Sequence, residues 1–365
     1  MGRRTDPGWR DRAAFELLTK RVLATLPPEH VGPILLAGEP SRATGGATGM
    51  IREELHRWDR MASLSGPGQI LPEASGVALA AVRMPRSRAA LAFATRAAAG
   101  ALRPGGLLLV YGASDEGTGA VERELADLGV TAQTWATGGR CRVVGGVVAE
   151  PPAPLAVEDV AERTELDLPH AGTRDWTSFP GVFAAGRLDG GTALLLRTIE
   201  HIDPTTRVLD YGAGTGVIGA VALALGAADV TLVEPDALAA EAARRNVPGA
   251  NVVEARGWRA LGTTHFDLIL ANPPYSIKQW DRDPFAADVI ELELAVEGST
   301  ELERVRLTET AASTGIFTGH FGTAAGDAAP GDCGLDVGTN ARVRVNYVDA
   351  DDAEDVSAAG LVVDP

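Results

Sequence analysis

The sequence predicts an α/β chain in which two tandem halves, each built on a mainly parallel sheet, are followed by an all-β segment. Three observations predict it. Through residue 275, short apolar runs alternate with Ala-rich helical stretches and Gly/Pro turns, the rhythm of a parallel sheet wrapped by helices. That rhythm runs twice, over 1–150 and 151–287, with Pro151, Pro152 and Pro154 marking a linker between. From residue 288 to 365 the helical period gives way to strict alternation, as in Ile290-Glu-Leu-Glu-Leu-Ala-Val296. A chain of 365 residues has room for two or three such domains.

The elements follow in order. Asp11 to Leu26 reads as a helix and Pro33 to Ala37 as a short buried strand. Arg88 to Leu102 is an Ala-rich helix that Arg103-Pro104-Gly105-Gly106 should stop, so the next buried strand is expected at Leu107 to Tyr111 and a helix at Gly119 to Leu128. In the second half a helix closes at Arg197 to Ile202. Strands are expected at Arg207–Asp210, Asp229–Val233, Asn251–Val253 and Asp267–Ala271, with helices at Gly216–Leu225 and Asp236–Asn246 between them. In the last segment, Val305 to Thr308, Gly315 to Phe321 and Arg342 to Val348 continue the alternation between Gly/Asp-rich turns, which suggests a small sandwich.

Composition narrows the class. The chain is 45% hydrophobic and 22% charged, and its two cysteines, Cys141 and Cys333, lie too far apart for a disulfide scaffold or a Cys-rich zinc site. The longest apolar stretch, Gly216 to Ala228, is too short to cross a bilayer, and the charged N-terminus lacks an apolar leader core, so a cytoplasmic protein with no membrane partner is expected. Net charge is +3 over 1–150, −7 over 151–275 and −12 over 276–365. So acidic a body cannot grip nucleic acid through a broad phosphate-neutralising face. Any such contact should lean on Arg83, Arg86, Arg88, Arg96 and Arg103, which equally fit a solvated helix face.

Two motifs carry chemistry. In Val208-Leu-Asp-Tyr-Gly-Ala-Gly-Thr-Gly-Val-Ile218 an apolar strand ends at Asp210, and Gly212, Gly214 and Gly216 precede a helix. Glycines there let the backbone turn sharply and let a ligand approach it. Glu234 ends the next strand, where a carboxylate can accept hydrogen bonds from both hydroxyls of a ribose; a dinucleotide enzyme would show the same pair. The second motif, Asn272-Pro273-Pro274-Tyr275, follows the strand ending at Ala271, at the carboxyl edge of the sheet where ligands bind. The prolines fix the backbone, so the Asn272 side-chain oxygen and the Pro273 carbonyl can both accept from one planar amine while Tyr275 offers a face to a base. An exocyclic amine is a poor nucleophile, and two acceptors on its hydrogens favour charge build-up on nitrogen as a methyl group arrives.

Together the glycine motif, Glu234 and Asn272 to Tyr275 resemble the class I methyltransferases that use S-adenosylmethionine on amino groups. Phe179-Pro-Gly-Val-Phe-Ala-Ala-Gly-Arg-Leu-Asp-Gly-Gly-Thr192 resembles the mouth loop of one of them, the ribosomal RNA small subunit methyltransferase C family. The resemblance covers roughly residues 30–275. It implies two Rossmann-like methyltransferase domains, the first degenerate and the second binding S-adenosylmethionine, with methylation of a guanine N2 amine in small-subunit ribosomal RNA. Residue by residue it implies that Asp210, Gly212, Gly214 and Gly216 line the methionine and ribose end of the cofactor and that Glu234 holds the ribose. Phe183 and Asp189 would border cofactor and base, and Asn272, Pro273, Pro274 and Tyr275 would hold the amine of a base flipped from its stack.

The chain departs from the family in three places. Arg256 and Gly257 stand where such enzymes place a polar or acidic residue near the adenine, and Ala193 replaces a glutamine of the mouth loop. Ser276-Ile-Lys-Gln-Trp-Asp281 is more similar to the modification subunits that methylate adenine N6 in DNA, the alternative activity. The family's last three strands are not recognisable, and the β-rich tail resembles a repeat of bacterial surface proteins, so an inactive or fused homologue is the third reading. The acidic run Asp349 to Asp355 lacks calcium-loop spacing, and the six histidines lack ligand spacing, so no metal site is expected.

Overall fold

The computed structural model describes residues 9–38, 54–62, 66–256, 258–262 and 264–272, together with the backbone of seven strands between 289 and 363. The first half opens with helix α1 (Trp9–Leu17), continued by a π turn and a 3-10 turn to Thr25. Its sheet comprises β1 (Ile34–Ala37), β2 (Leu55–Trp58), β3 (Val77–Arg83), β4 (Leu102–Ala113), β5 (Gln133–Gly138) and β6 (Cys141–Val148), in the order β2-β1-β3-β4-β6-β5. The first four strands run parallel and β6 is antiparallel to both neighbours. Helices α2 (Arg88–Gly100) and α3 (Val121–Asp127) cross between strands. The Ser87 hydroxyl starts α2 by accepting from Ala90 N at 3.2 Å, and Leu91, Thr95, Ala98 and Ala99 bury one face on the sheet.

Arg103 to Gly106 does not act as the expected stop between helix and strand. Strand β4 already begins at Leu102 and takes the turn in as a bulge: Val77 faces Leu102, but Leu79 faces Leu107, with Gly105 at φ +73° carrying the excess chain. The pyrrolidine and two glycines interrupt pairing without ending the strand.

The second half begins with a hairpin, β7 (Glu162–Leu168) and β8 (Gly172–Ser178), which the sequence pattern did not predict. Then come α4 (Gly190–Arg197), β9 (Arg207–Tyr211), α5 (Val217–Ala224), β10 (Asp229–Glu234), α6 (Ala237–Asn246), β11 (Asn251–Glu254) and β12 (Leu268–Ala271). Their sheet is parallel throughout, in the order β11-β10-β9-β12. In the last segment β13 (Val289–Val296), β14 (Leu302–Glu309), β15 (Phe317–Thr318), β18 (Ala341–Val348) and β19 (Val356–Val363) form one antiparallel sheet, ordered β15-β14-β13-β18-β19, while β16 (Gly322–Ala324) and β17 (Gly334–Asp336) pair in parallel. The described strands thus form a single five-stranded sheet and a two-stranded pair, where a sandwich was expected.

The parallel strands of the two halves share a register. Gly38 (φ +68°) follows β1 and donates to the Trp58 carbonyl at 2.8 Å; Gly212 (φ +75°) follows β9 and donates to the Val233 carbonyl at 2.9 Å. On that frame Asp59 stands at the place of Glu234, Leu36 at that of Asp210, and Arg83 at that of Asn272. Asp59 accepts from the N–H two residues on, Met61, at 2.9 Å, and Glu234 does the same with Asp236 at 2.9 Å. These matched loops meet each other. Ala62 N donates to Pro235 O at 2.6 Å and Ala237 N donates to Arg60 O at 2.9 Å, so each half gives the other the same bond, as across a two-fold axis. Trp58, Phe93, Leu238, Ala239 and Ala242 fill one apolar cluster across this junction.

Candidate functional site

The site lies at the carboxyl ends of β9 and β12, neighbours in the sheet. The floor is the turn between β9 and α5. At Gly212 and Gly214 (φ +54°) an added Cβ would meet no atom of the described residues within 4 Å, which leaves the backbone there open towards the cleft. Gly216 differs: at φ +90° its Cβ would stand 2.7 Å from a Val247 methyl, which makes it a packing glycine. The turn is held from behind. Trp176 Nε1 donates to the Thr215 hydroxyl at 3.0 Å, and the Asn246 amide donates to the carbonyls of Thr215 and Thr177 at 3.0 and 2.8 Å.

Both acids lie beneath the floor. Asp210 is fully buried; Oδ2 accepts from Gly219 N at 2.9 Å, and Oδ1 has no partner among the described residues. Burial pushes its carboxyl up to about 7, the nearby Glu234 charge adding to the rise and the Gly219 bond opposing it. Glu234 is also raised by burial. Its Oε2 accepts from Gly214 N at 2.7 Å and its Oε1 from Asp236 N, so it braces the glycine turn against the start of α6.

The wall opposite is the mouth loop. Asp189 caps α4, accepting from Thr192 N at 3.0 Å. Asn272 directs its amide nitrogen into this wall, donating to Asp189 Oδ2 and to the Thr192 hydroxyl, each at 2.9 Å. With both Nδ2 hydrogens engaged, Oδ1 is the amide's acceptor. Phe183, 64% exposed, and Arg187 complete the rim. The cleft is open to solvent and spans about 410 Å³, solvent space included. The structure therefore brings Phe183, Asp189, Gly212, Gly214 and Asn272 together around one space and sets Asp210, Gly216 and Glu234 behind it. Pro273, Pro274, Tyr275 and the segment Ser276 to Asp281 lie outside the described residues.

Sequence reasoning missed the supports. Trp176 is the one large apolar residue of a polar strand, which was a usable signal; Thr192, Thr215 and Asn246 carried none. The arginine cluster resolves towards structure. Arg83 is buried against Asp11 and Glu116, Arg88 pairs with Glu124, and Arg96 and Arg103 donate to the carbonyls of Ala153 and Glu29. Among the described residues no helix is long and apolar enough to cross a membrane, and no group of three or more His, Cys, Asp or Glu is placed to hold a metal ion.

Known proteins share this arrangement. Residues 174–293 match the methyltransferase small domain family. The chain is 34% identical over 262 residues to the ribosomal RNA small subunit methyltransferase C of Pseudomonas entomophila, covering 67% of this chain and 75% of that one. It is 33% identical over 258 residues to the protein of that name from Pseudomonas putida strain W619, covering 67% and 76%. Among solved structures, the T. thermophilus 16S rRNA N2 G1207 methyltransferase, in complex with AdoMet and guanosine, aligns with a TM-score of 0.61 at 23% identity, covering 74% of this chain and 76% of that one. Its likeness shows the fold, two Rossmann-like α/β halves. The extent of the match to the Pseudomonas proteins settles the lineage: the chain belongs to the ribosomal RNA small subunit methyltransferase C family.

Proposed function

We propose that this chain methylates an exocyclic nucleobase amine, guanine N2 of small-subunit ribosomal RNA, using S-adenosylmethionine, and does so in the cytoplasm. One observation carries the reading: an open glycine turn and an asparagine amide of fixed orientation face a single cleft from adjacent strand ends. The residues fit the cofactor. Among the described residues, nothing covers the backbone at Gly212 and Gly214, and Asp210 holds a buried carboxylate oxygen without a partner close behind them. Glu234 would reach the ribose side. When bound, S-adenosylmethionine supplies the methyl group: an N–C bond forms as the S–C bond breaks, S-adenosylhomocysteine leaves and the amine's proton passes to solvent.

The chain's own residues orient the amine. Asn272 Oδ1 would accept one of its hydrogens and the Pro273 carbonyl the other, drawing electron density onto nitrogen. Phe183 and Tyr275 would hold the base plane and exclude water, so most of the rate gain comes from alignment. The domains in this reading are 1–150, a non-binding scaffold; 151–287, the methyltransferase domain; and 288–365, the β-rich tail.

The test is calorimetric titration of S-adenosylmethionine into the full chain, followed by labelled methyl transfer to small ribosomal subunits and nucleoside digestion. Label in N2-methylguanosine supports the proposal. Label in N6-methyladenine of DNA, with ribosomal RNA untouched, refutes the substrate. A folded chain that binds no cofactor refutes the activity.

A further inference from the structure

We infer that Arg60, a residue of the first half, is a positioning residue for the cofactor site of the second; the inference rests on the proposed role of Glu234 and the mouth loop. Arg60 lies two residues past β2, in the loop that meets its counterpart across the two-fold junction. Its guanidinium reaches the mouth loop, which borders the cleft, and the loop after β10, whose Glu234 braces the glycine turn from behind. Nη2 and Nε take the two oxygens of Asp236, at 2.5 and 3.2 Å, with each side chain 16% exposed. Nη1 donates to the carbonyl of Pro180, at the start of the mouth loop that carries Phe183 and Asp189, at 3.2 Å. The guanidinium carbon stands 5.6 Å from the centroid of the Phe93 ring, a first-half side chain that packs the same cluster.

Asp236 passes the constraint on. Its N–H donates to Glu234 Oε1, and its carboxylate caps α6 by accepting from Leu238 N at 3.0 Å. The bidentate fork therefore fixes the residue that fixes Glu234, while Nη1 ties the start of the mouth loop to the same guanidinium. The asymmetry of the junction separates this role from simple docking. The backbone bonds between the halves are reciprocal, one from each side. The Arg60 contacts run one way, because the matched residue of the second half is Pro235, which has no side-chain donor to return. A clamp needed only to join two similar halves has no reason to be one-sided. A clamp that serves a single cleft has to be.

The experiment uses the full chain and compares wild type with Arg60→Ala, Arg60→Lys, Glu234→Gln and the double variant Arg60→Ala/Glu234→Gln. Calorimetric affinity for S-adenosylmethionine, KM and kcat are read alongside thermal melting. Arg60→Ala is expected to weaken cofactor affinity and raise its KM about 10-fold while kcat at saturation stays within about two-fold. Arg60→Lys, which keeps the charge without the fork, should fall between it and wild type. The double variant should lose less than the product of the two single losses, since both act on the same carboxylate. If Arg60→Ala only lowers the melting temperature and the amount of active protein, with KM unchanged, Arg60 is glue and the inference is overturned. If Arg60→Ala does not fold, an Arg60→Lys chain with wild-type KM overturns it equally. A wild-type chain that binds no S-adenosylmethionine overturns the reading of the site, and this inference with it.

Discussion

Replacing Asp210 with asparagine should flatten the pH dependence of stability. In the folded chain burial holds this carboxyl at about 7, against 3.8 for an ordinary aspartate. Between those values the folded state keeps a proton that the unfolded state has released, so the slope of unfolding free energy against pH is negative. The contribution of Asp210 to stability is greatest below about pH 4, falls as pH rises, and is fully lost once pH passes about 7. A gap of about 3 pH units corresponds to about 4 kcal/mol over the whole window, more than half of it between pH 5 and pH 8. Asparagine does not titrate. Its oxygen can accept from Gly219 N, but its NH2 takes the place of an oxygen without a partner, at a pH-independent cost of about 1–3 kcal/mol. Asp210→Asn should therefore trail wild type at pH 5 and gain roughly 3 kcal/mol on it by pH 8. Glu234, raised in the same direction, titrates in both proteins and largely cancels from the difference. Urea unfolding at both pH values measures this directly. Parallel curves for the two proteins would mean that Asp210 ionises without penalty and that the free oxygen beneath the glycine turn is no reserve for a cationic ligand.

Three further outcomes follow from the geometry. Gly214→Ala should cost about 1–2 kcal/mol of stability through its left-handed backbone and weaken S-adenosylmethionine binding more than that, whereas Gly216→Ala should melt at markedly lower temperature because its methyl also meets Val247; melting and titration of both variants separate the effects. Asn272→Asp sets a second carboxylate against Asp189 Oδ2 and should lower kcat at least about 100-fold with cofactor affinity little changed, as single-turnover methyl transfer would show. Arg83→Leu strands Asp11 and Glu116 and should cost about 3–5 kcal/mol in denaturant without altering KM for the cofactor.

Much of this was legible in the sequence because punctuation and apolar runs agree. Gly212 follows an apolar strand and precedes a helix, and Asn272 follows Leu268–Ala271, so both motifs had to fall at one sheet edge. Local pattern failed where burial is not periodic. The hairpin β7–β8 buries little beyond Leu166, Leu168, Trp176 and Ser178, so most of its length reads as polar chain. The bulge at Gly105 depends on β3 lying alongside, which a window over Arg103–Gly106 does not contain. The junction is invisible for the same reason: Arg60 and Asp236 are 176 residues apart, and neither side chain sits in a pattern that announces a partner.

The two halves build matching loops at the carboxyl ends of their parallel strands. The first half has Gly38 where the second has Gly212, and Asp59 bonded to Met61 N where the second has Glu234 bonded to Asp236 N. Burial raises both acids. Yet the first half has Leu36 in place of Asp210 and Arg83, bound to Asp11 and Glu116, in place of Asn272. What the two share is what shapes the loop: a left-handed glycine to leave the strand and an acid to turn the chain back on itself. What differs is a buried carboxylate oxygen with no partner among the described residues and a directed amide, the two features that the proposed function assigns to ligands. The reciprocal bonds between Ala62 and Pro235 and between Ala237 and Arg60 are made by the shared part. The loop that carries Glu234 is thus also the surface on which the halves join, so the geometry of Glu234 and the docking of the two halves are set by the same few residues.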